Sequence, residues 1–304
     1  MWFKNLIFYK FTEQFTHSQE QLQEKLQEHA FSPCKSQELS RYGWSSPCKL
    51  LDQELVHEVQ GFLMISSFKE EKILPGSVVK EMLSDKVSQI EHEQARKVYK
   101  KERDQLKDEI VLDLLPRAFS KYQKTFALIA PQQGWLVVDA SSHKRAEELL
   151  SFLRGSLGSL PVALPDVQHS PSAIMSHWLE NHAEIPQQFE ILDECELRDN
   201  LVEGGVIRIK GQQLEDDEFV AHLEAGKRVV KLSVEWDEQL KFVIQDDLSI
   251  KRLKLTEQLQ EQLAEENSED EIAEFDTNMV QMGLEFTKLY PQLIEVFGGE
   301  ADRP

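Results

Sequence analysis

Two hydrophobic periods alternate along the chain and predict a mixture of strands and helices. Short runs of β-branched and aromatic residues, such as Trp2–Phe11 and Gly61–Phe68, have the composition of strands. From Ser77 onward, apolar residues recur about every 3.6 positions against a face of Lys, Glu, Gln and Arg, which predicts a long amphipathic helix. A second short helix is predicted over Leu106–Leu115. Residues 77–124 are therefore interpreted as a helical excursion from a sheet-containing body.

The rest of the chain predicts a hairpin, several helices and a late set of strands. Pro131–Gly134 lies between two apolar runs and predicts the hairpin turn. A helix over Ser142–Leu153 is expected to begin at a capping serine and to end before Gly155. Because strands and helices follow one another without steady strand–helix–strand alternation, the order favours an α+β fold. The later elements are predicted as helices over Ser170–Asn181, Glu215–Glu224, Glu257–Glu266 and Glu271–Phe297, and as strands over Phe189–Leu192, Val206–Lys210, Arg228–Trp236, Leu240–Gln245 and Ser249–Leu255.

Composition is that of a folded protein with an acidic surface. The 304 residues are 40% hydrophobic and 9% aromatic, and 34 Lys and Arg stand against 54 Asp and Glu, for a net charge of −20. Such a balance argues at first sight against nucleic acid as a partner, because phosphate binding needs clustered cations.

The charge, however, is unevenly distributed. Residues 1–183 carry a net charge of −2, residues 184–224 carry −9, residues 225–256 carry +2, and residues 257–304 carry −11. Within the first part, Arg96–Lys107 has six basic residues against Glu102 and Asp104. The protein is thus acidic on average and basic in one place.

Several classes of protein are disfavoured by what the sequence lacks. The longest stretch free of charged residues, Thr125–Val138, has 14 residues and includes a proline, whereas a membrane-spanning helix needs about 20 apolar residues. The N-terminus lacks the pattern of a signal peptide, and the three cysteines show no C-x-x-C, so a reduced cytoplasmic protein is expected. No G-x-S-x-G, H-E-x-x-H or EF-hand pattern is present, which leaves an enzyme without assignable residues.

The basic segment has two interpretations. Its cations recur at spacings of three and four, so several are expected to share a helical face. On composition alone, a solvated helix with Glu–Lys pairs explains this segment better than a DNA contact does. Leu114–Ser120 follows at once and places Phe119 between Arg117 and Lys121, either as a core residue or as an exposed contact at the end of the excursion.

A series of short motifs resembles the RdgC family of bacterial recombination-associated proteins. The motifs occur in the same order over nearly the whole chain, and together they are far more specific than any one of them. They are Met1–Leu6, Lys69–Pro75, Glu93–Lys97, Leu114–Phe119, Ser156–Pro161, Gly204–Arg208 and Phe297–Ala301.

The resemblance implies a DNA-binding protein without enzymatic activity and without a cofactor. It implies a horseshoe-shaped monomer with a central α+β body, a helical tip and a base. Two monomers would meet tip to tip and base to base, closing a ring with a positively charged hole around duplex DNA. Binding would be largely independent of sequence, weaker to single-stranded DNA, and would restrain strand exchange by RecA; the location expected is the cytoplasm, on the nucleoid.

The resemblance also implies a division of the chain and a set of contact residues. Residues 1–75 and 125–165 would form the first part of the body, 76–124 the helical tip, 166–226 and 257–304 the acidic base, and 227–256 a meander of the body. Phe119 would help to close the tip–tip interface of the dimer. The DNA-contacting residues predicted are Arg96, Lys97, Lys100, Lys101, Arg103, Lys107, Arg117, Lys121, Lys210, Gln212, Lys227 and Arg228.

One departure and one alternative accompany this hypothesis. Relatives can carry a second lysine after Lys210, where this chain has Gly211, so the contribution of this stretch to DNA contact is open. The alternative function is that of a protein-binding regulator whose acidic blocks mimic DNA and recruit a basic partner. Encirclement would reconcile an acidic protein with DNA, because charges on an outer rim are screened beyond about 8–10 Å at physiological salt.

Overall fold

The computed structural model describes residues 1–199, 204–212, 214, 217–266 and 270–301. Predicted elements and observed elements agree for most of the chain. The strands are β1 (Leu6–Phe11), β2 (Ser40–Ser45), β3 (Val56–Val59), β4 (Phe62–Ile73), β5 (Phe119–Ala130), β6 (Trp135–Asp139), β7 (Val162–Ala163), β8 (Phe189–Arg198), β9 (Val206–Lys210), β10 (Arg228–Trp236), β11 (Leu240–Gln245) and β12 (Ile250–Leu255).

The helices lie between and after these strands. Two short 3-10 helices, Leu115–Arg117 and His182–Glu184, add to them. The α-helices are α1 (Gln19–Gln27), α2 (Gly76–Gln94), α3 (Lys100–Leu114), α4 (His143–Leu157), α5 (Pro171–Glu180), α6 (Asp217–Glu224), α7 (Glu257–Glu266) and α8 (Glu271–Val296). Part of the predicted helix over Glu215–Glu224 lies outside the described residues, since residues 215 and 216 are not described.

The described strands form a single large sheet. Its order is β2-β4-β5-β6-β1-β12-β11-β10-β8-β9, with β3 beside β4 and β7 beside β1. Neighbouring strands are antiparallel, as in the predicted hairpin β5–β6 and the predicted meander β10–β11–β12. The α+β class expected from the order of elements is thereby confirmed.

The two halves of the sheet differ in how they are covered. In the half formed by β4, β5, β6 and β1, one face packs on α1 and α4 and the other on α8. In the half formed by β12, β11, β10, β8 and β9, one face packs on α5 and α7 through Trp178 and Leu259, and Trp236 of β10 donates a hydrogen bond to Gln292 of α8. Because alternate residues of a strand point to opposite faces, buried Leu232, Val234 and Trp236 leave the intervening residues of β10 on the other face. No described helix packs a buried apolar side chain against that second face, which we call the open face.

An arm extends from the first half of the sheet. β4 and β5 are each 12 residues long and stay paired to their ends, at Ile73 and Phe119. Beyond them, α2 and α3 pack together through a small core of their own, formed by Val79, Leu83, Leu106 and Ile110. Since an α-helix rises about 1.5 Å per residue, the 19 residues of α2 span about 28 Å.

The structure corrects the predicted helical excursion in two places. First, α3 begins at Lys100 and not at Leu106, because the polar first turns of a projecting helix need no apolar partner. Second, the helical part ends at Arg117, and residues 119–124 belong to β5. The turn between α2 and α3 includes Ala95 in the left-handed conformation, with φ of 50°.

The end of α4 also differs from the prediction. The helix continues through Gly155 and ends at Leu157, and it is capped by Gly158, which has the positive φ of 85° that favours glycine. The extra turn buries Ser156, whose hydroxyl accepts a hydrogen bond of 2.9 Å from the indole N–H of Trp44. Tertiary contact therefore decides where this helix ends.

Candidate nucleic-acid interface

Four of the predicted cations of the arm lie at its far end, whereas Arg103 and Lys107 lie along α3 towards the root, beside a groove that also contains Leu74 and Gly76. Arg96 and Lys97 are in the turn between α2 and α3, while Lys100, Lys101, Arg103 and Lys107 are on α3. All six side chains are exposed. Several of the cations share a helical face, as predicted: Lys100, Arg103 and Lys107 are three and four residues apart on α3, whereas Arg96 and Lys97 precede that helix.

Arg96 differs from the other arm cations in being paired. Both terminal nitrogens of its guanidinium donate to the Glu102 carboxylate at 2.6 Å, a bidentate pair that raises the pKa of Arg96 and lowers that of Glu102. No described carboxylate lies within ion-pair distance of Lys97, Lys100 or Lys101. The end of the arm therefore presents these lysines to solvent without a direct ion pair to a described residue.

At the root of the arm, Phe119 is an exposed residue and not part of the core. Its side chain is 84% exposed, opposite the exposed Ile73 on β4. The neighbouring Ser120 hydroxyl donates to Glu70 at 2.7 Å, and the same carboxylate accepts from the backbone N–H of Cys34 at 2.8 Å. These hydrogen bonds lower the pKa of Glu70 and hold the root of the arm against the loop before β2. Arg117 and Lys121 on either side of Phe119 are also exposed.

The open face of the sheet collects cations that are far apart in sequence. The register of the strands places Arg208, Glu196, Lys231 and Gln245 in one row across β9, β8, β10 and β11. Neighbouring rows pair Lys210 with Glu194, and Val243 with Lys251. A groove of about 470 Å³ runs across these rows. The basic residues of the open face are Arg198, Arg208, Lys210, Lys231, Lys241, Lys251, Arg252 and Lys254.

Three acidic side chains on the open face form ion pairs with cations. Glu196 is bonded to Arg198, Arg208 and Lys231 at 2.7 to 3.0 Å. Glu194 pairs with Arg252 at 2.6 Å, and Glu235 pairs with Lys241 at 3.0 Å. Eight cations stand against Glu190, Glu194, Glu196 and Glu235 in these rows and against Asp246 beside Arg198 and Lys231, so the open face keeps a net positive charge although the protein is strongly acidic.

The remaining predicted residues lie at one end of this half of the sheet. Lys210 is on the open face, and the exposed Gln212 follows β9 beside a second groove of about 830 Å³. Gly211 has φ of 70°, a left-handed conformation in which a lysine side chain would be strained. Arg228 donates to the carbonyl oxygens of Leu223 and Lys227, at 3.4 and 3.0 Å, and so its guanidinium is bonded to the end of α6.

The monomer does not bring the two groups of predicted cations together. Lys121 on β5 and Lys210 on β9 are seven strand spacings apart, roughly 33 Å at about 4.8 Å per spacing. The arm and the open face are therefore two separate basic surfaces of one chain.

Sequence reasoning missed most of the open face. Counting charge by segment gave only +2 for residues 225–256, and it did not separate the two faces of the strands. The signal was present in the alternation of β10 and β11, where buried apolar residues are interleaved with Lys231, Glu235 and Lys241. Alternation within β10 and β11 would have assigned Lys231 and Lys241 to one face, whereas Lys251, Arg252 and Lys254 share that face only because a register shift interrupts the alternation of β12.

Two further features bear on the class of protein. In the part of the chain that the structure describes, no three His, Cys, Asp or Glu side chains are grouped so that they would hold a metal ion. Among the described helices, none combines the length and apolar character that crossing a bilayer requires.

Comparison with known proteins identifies the family. Residues 1–300 match the RdgC family model, described as "Putative exonuclease, RdgC". The recombination-associated protein RdgC of Pseudomonas aeruginosa is 48% identical over 301 residues, covering 99% of this chain and 98% of the relative. The protein of the same name from Tolumonas auensis is 47% identical over 300 residues, covering 99% of both chains. Similarity of this extent shows that the chain belongs to the RdgC family of recombination-associated proteins.

Proposed function

We propose that this protein binds duplex DNA without sequence preference, through the open face of its sheet and the basic end of its arm. The observation that carries this proposal is the open face, where eight Lys and Arg side chains from five strands converge in a protein with a net charge of −20. Contacts from Lys and Arg to phosphates supply affinity but carry no sequence information. No described helix projects from the open face to enter a groove and contact base edges.

The acidic residues of α7 fit the same proposal. The exposed Glu257, Glu261 and Glu265 are on α7, which packs on the covered face of the sheet. Charges on that side are separated from the open face by the sheet and the helix layer, and they are screened at physiological salt beyond about 8–10 Å. Negative charge there also disfavours DNA on the outside of the molecule and favours its approach to the open face.

We further propose that two chains form a closed ring around the DNA. A twofold dimer in which each subunit makes two different contacts forms a closed ring. Phe119 and Ile73, two exposed apolar side chains at the root of the arm, are suited to one of these contacts. Residues 76–124 would form the tip, residues 166–226 and 257–304 the base, and the remaining segments the body. DNA enclosed in this way is less accessible to RecA, so the protein restrains strand exchange on the nucleoid. The proposal assigns no cleavage step.

The first prediction tests DNA binding by its dependence on salt. Six to ten phosphate contacts predict that the affinity for random duplexes falls by roughly 10³–10⁵ between 50 and 200 mM salt. Mobility-shift titrations of two unrelated duplexes at both salt concentrations measure this, and the two duplexes should bind alike. Absence of binding at 50 mM salt would contradict the proposal and favour the DNA-mimic alternative, whereas affinity insensitive to salt would contradict phosphate contact.

The second prediction concerns Phe119→Ala. Because Phe119 is exposed, the substitution should change the free energy of unfolding by no more than about 0.5 kcal/mol. If Phe119 closes one contact of the ring, the dimer persists through the other contact, while retention on closed circular DNA at high salt is lost. Sedimentation measures the dimer, and a salt challenge on circular and linear DNA measures encirclement. Equal retention of wild type and variant on circular DNA would contradict this role.

A further inference from the structure

Glu196 is a buried carboxylate surrounded by three cations. Its side chain is 7% exposed, in the middle of β8 on the open face. Arg198 donates to Oε1 from Nε and Nη2, at 3.0 and 2.7 Å. Arg208 Nε and Lys231 Nζ both donate to Oε2 at 3.0 Å. One carboxylate therefore holds side chains from three adjacent strands.

Glu196 engages only part of the donor set of each cation. Arg208 is bonded through Nε, so neither of its terminal Nη nitrogens is used by Glu196, and its side chain is 73% exposed. Arg198 likewise keeps Nη1 outside the pair, and an ammonium such as that of Lys231 has three protons. Each of these partly exposed cations therefore has donors that Glu196 does not engage.

The shared carboxylate also brings the cations close together. Since Arg208 Nε and Lys231 Nζ each lie 3.0 Å from the same oxygen, they are no more than about 6 Å apart. Two cations at this distance repel each other, and the carboxylate between them offsets that repulsion. The cluster of three cations and one carboxylate retains a charge of +2, which suits a phosphate group.

Stability alone is a weak reason for such a buried cluster. Replacing a buried ion pair with well-packed apolar residues is often neutral or stabilising, because removing charges from water is costly. Burial by itself raises the pKa of Glu196, but hydrogen bonds from Arg208, Lys231 and Arg198 outweigh this and bring the pKa to about 2. The carboxylate is consequently ionised, and the cluster complete, over the whole pH range in which DNA binding is measured.

We propose that Glu196 is a positioning residue, which fixes Arg198, Arg208 and Lys231 as a clamp for one backbone phosphate of DNA. This inference rests on the proposed DNA binding and adds to it a defined phosphate site at the junction of β9, β8 and β10. Glu196 itself does not touch DNA. Its role is to turn three flexible side chains into a fixed set of donors, which lowers the entropy lost when a phosphate binds.

Glu196→Gln separates positioning from simple electrostatics, because the two predict opposite signs. If only charge matters, removing a negative charge from the open face strengthens DNA binding and steepens its dependence on salt. If Glu196 positions the clamp, the variant binds random duplex DNA roughly tenfold more weakly at 50 mM salt, and the slope of log K against log salt falls by about one. Fluorescence anisotropy across a salt series measures both quantities.

Glu235→Gln is the matched control. Glu235 is on the same face but pairs with a single cation, Lys241. The same substitution there removes the same charge without releasing a cluster, so it should strengthen DNA binding by a few-fold. Tighter binding by both variants would overturn the inference, while weaker binding by Glu196→Gln alone supports it.

Arg208→Lys keeps the test decisive if Glu196→Gln fails to fold. Arg208 is largely exposed, so the fold should tolerate lysine, and the net charge is unchanged. A lysine has one nitrogen and cannot donate inward to Glu196 and outward to phosphate with the geometry of a guanidinium. We expect several-fold weaker DNA binding, and wild-type affinity would overturn the clamp. If the wild-type protein itself fails to bind DNA at 50 mM salt, the proposed function fails and not this inference alone.

Discussion

Replacing Lys210, Lys251 and Lys254 together with alanine should nearly abolish DNA binding at low salt while leaving the protein folded. The three lysines are on the open face, on β9 and β12, and none is ion-paired with a described residue. Each phosphate contact contributes about 0.9 to the slope of log K against log salt. Between about 1 M and about 50 mM salt, a range of roughly 1.3 decades, three contacts therefore change the affinity on the order of a thousandfold. The slope itself should fall by about three.

A control variant with the same change of charge distinguishes local contact from net charge. Lys25, Lys35 and Lys49 are exposed residues of α1 and of the loops after it, away from the open face. Replacing these three lysines with alanine should lower the affinity far less than the open-face substitutions do. Both variants lose three positive charges, but only the open-face variant loses phosphate contacts. Similar losses in both variants would show that net charge, and not the open face, governs binding.

The largest expected effect on stability comes from Phe286→Ala. Phe286 is fully buried on α8, where its ring centroid is 6.0 Å from Phe8, 6.2 Å from Phe3 and 6.4 Å from Trp2. Removing a buried phenylalanine side chain costs about 3–5 kcal/mol in the free energy of unfolding, from lost burial and from the cavity that remains. Urea denaturation should show a lower midpoint with an unchanged slope.

Leu284→Ala provides the comparison on the same helix. Leu284 is 44% exposed, so its truncation should cost less than about 1 kcal/mol. If Phe286→Ala were no more destabilising than Leu284→Ala, the packing of α8 against the start of β1 would not be a major source of stability.

Much of the fold was predictable because local patterns and tertiary structure agree. The meander β10–β11–β12 follows from apolar residues at alternate positions, and α5 follows from Pro171 at its first turn and a 3.6-residue period. The incorrectly predicted helix boundaries lie where the local sequence pattern gives no signal. The start of α3 has no apolar residue to mark it, and the last turn of α4 depends on Trp44, which is more than one hundred residues away in sequence.

The candidate site was predictable in part, for a related reason. The arm cations are consecutive in sequence, so counting charge found them. By contrast, Arg208, Lys231 and Lys251 are brought together only by the register of four strands, which depends on long-range pairing. The exposure of Phe119 was likewise undecided until the pairing of β4 with β5 placed it opposite Ile73 at the end of both strands.

The position of β1 in the sheet has a consequence for how the protein is made. β1 is synthesised well before its partners β6 and β12, because its pairs include Leu6 with Asp139 and Leu6 with Ile250. Synthesis adds about 5–20 residues per second. The apolar side chains of β1 therefore remain without β6 for several seconds and without β12 for longer. Folding dominated by such distant pairings is slow. We expect the nascent chain to depend on chaperones until β12 has left the ribosome.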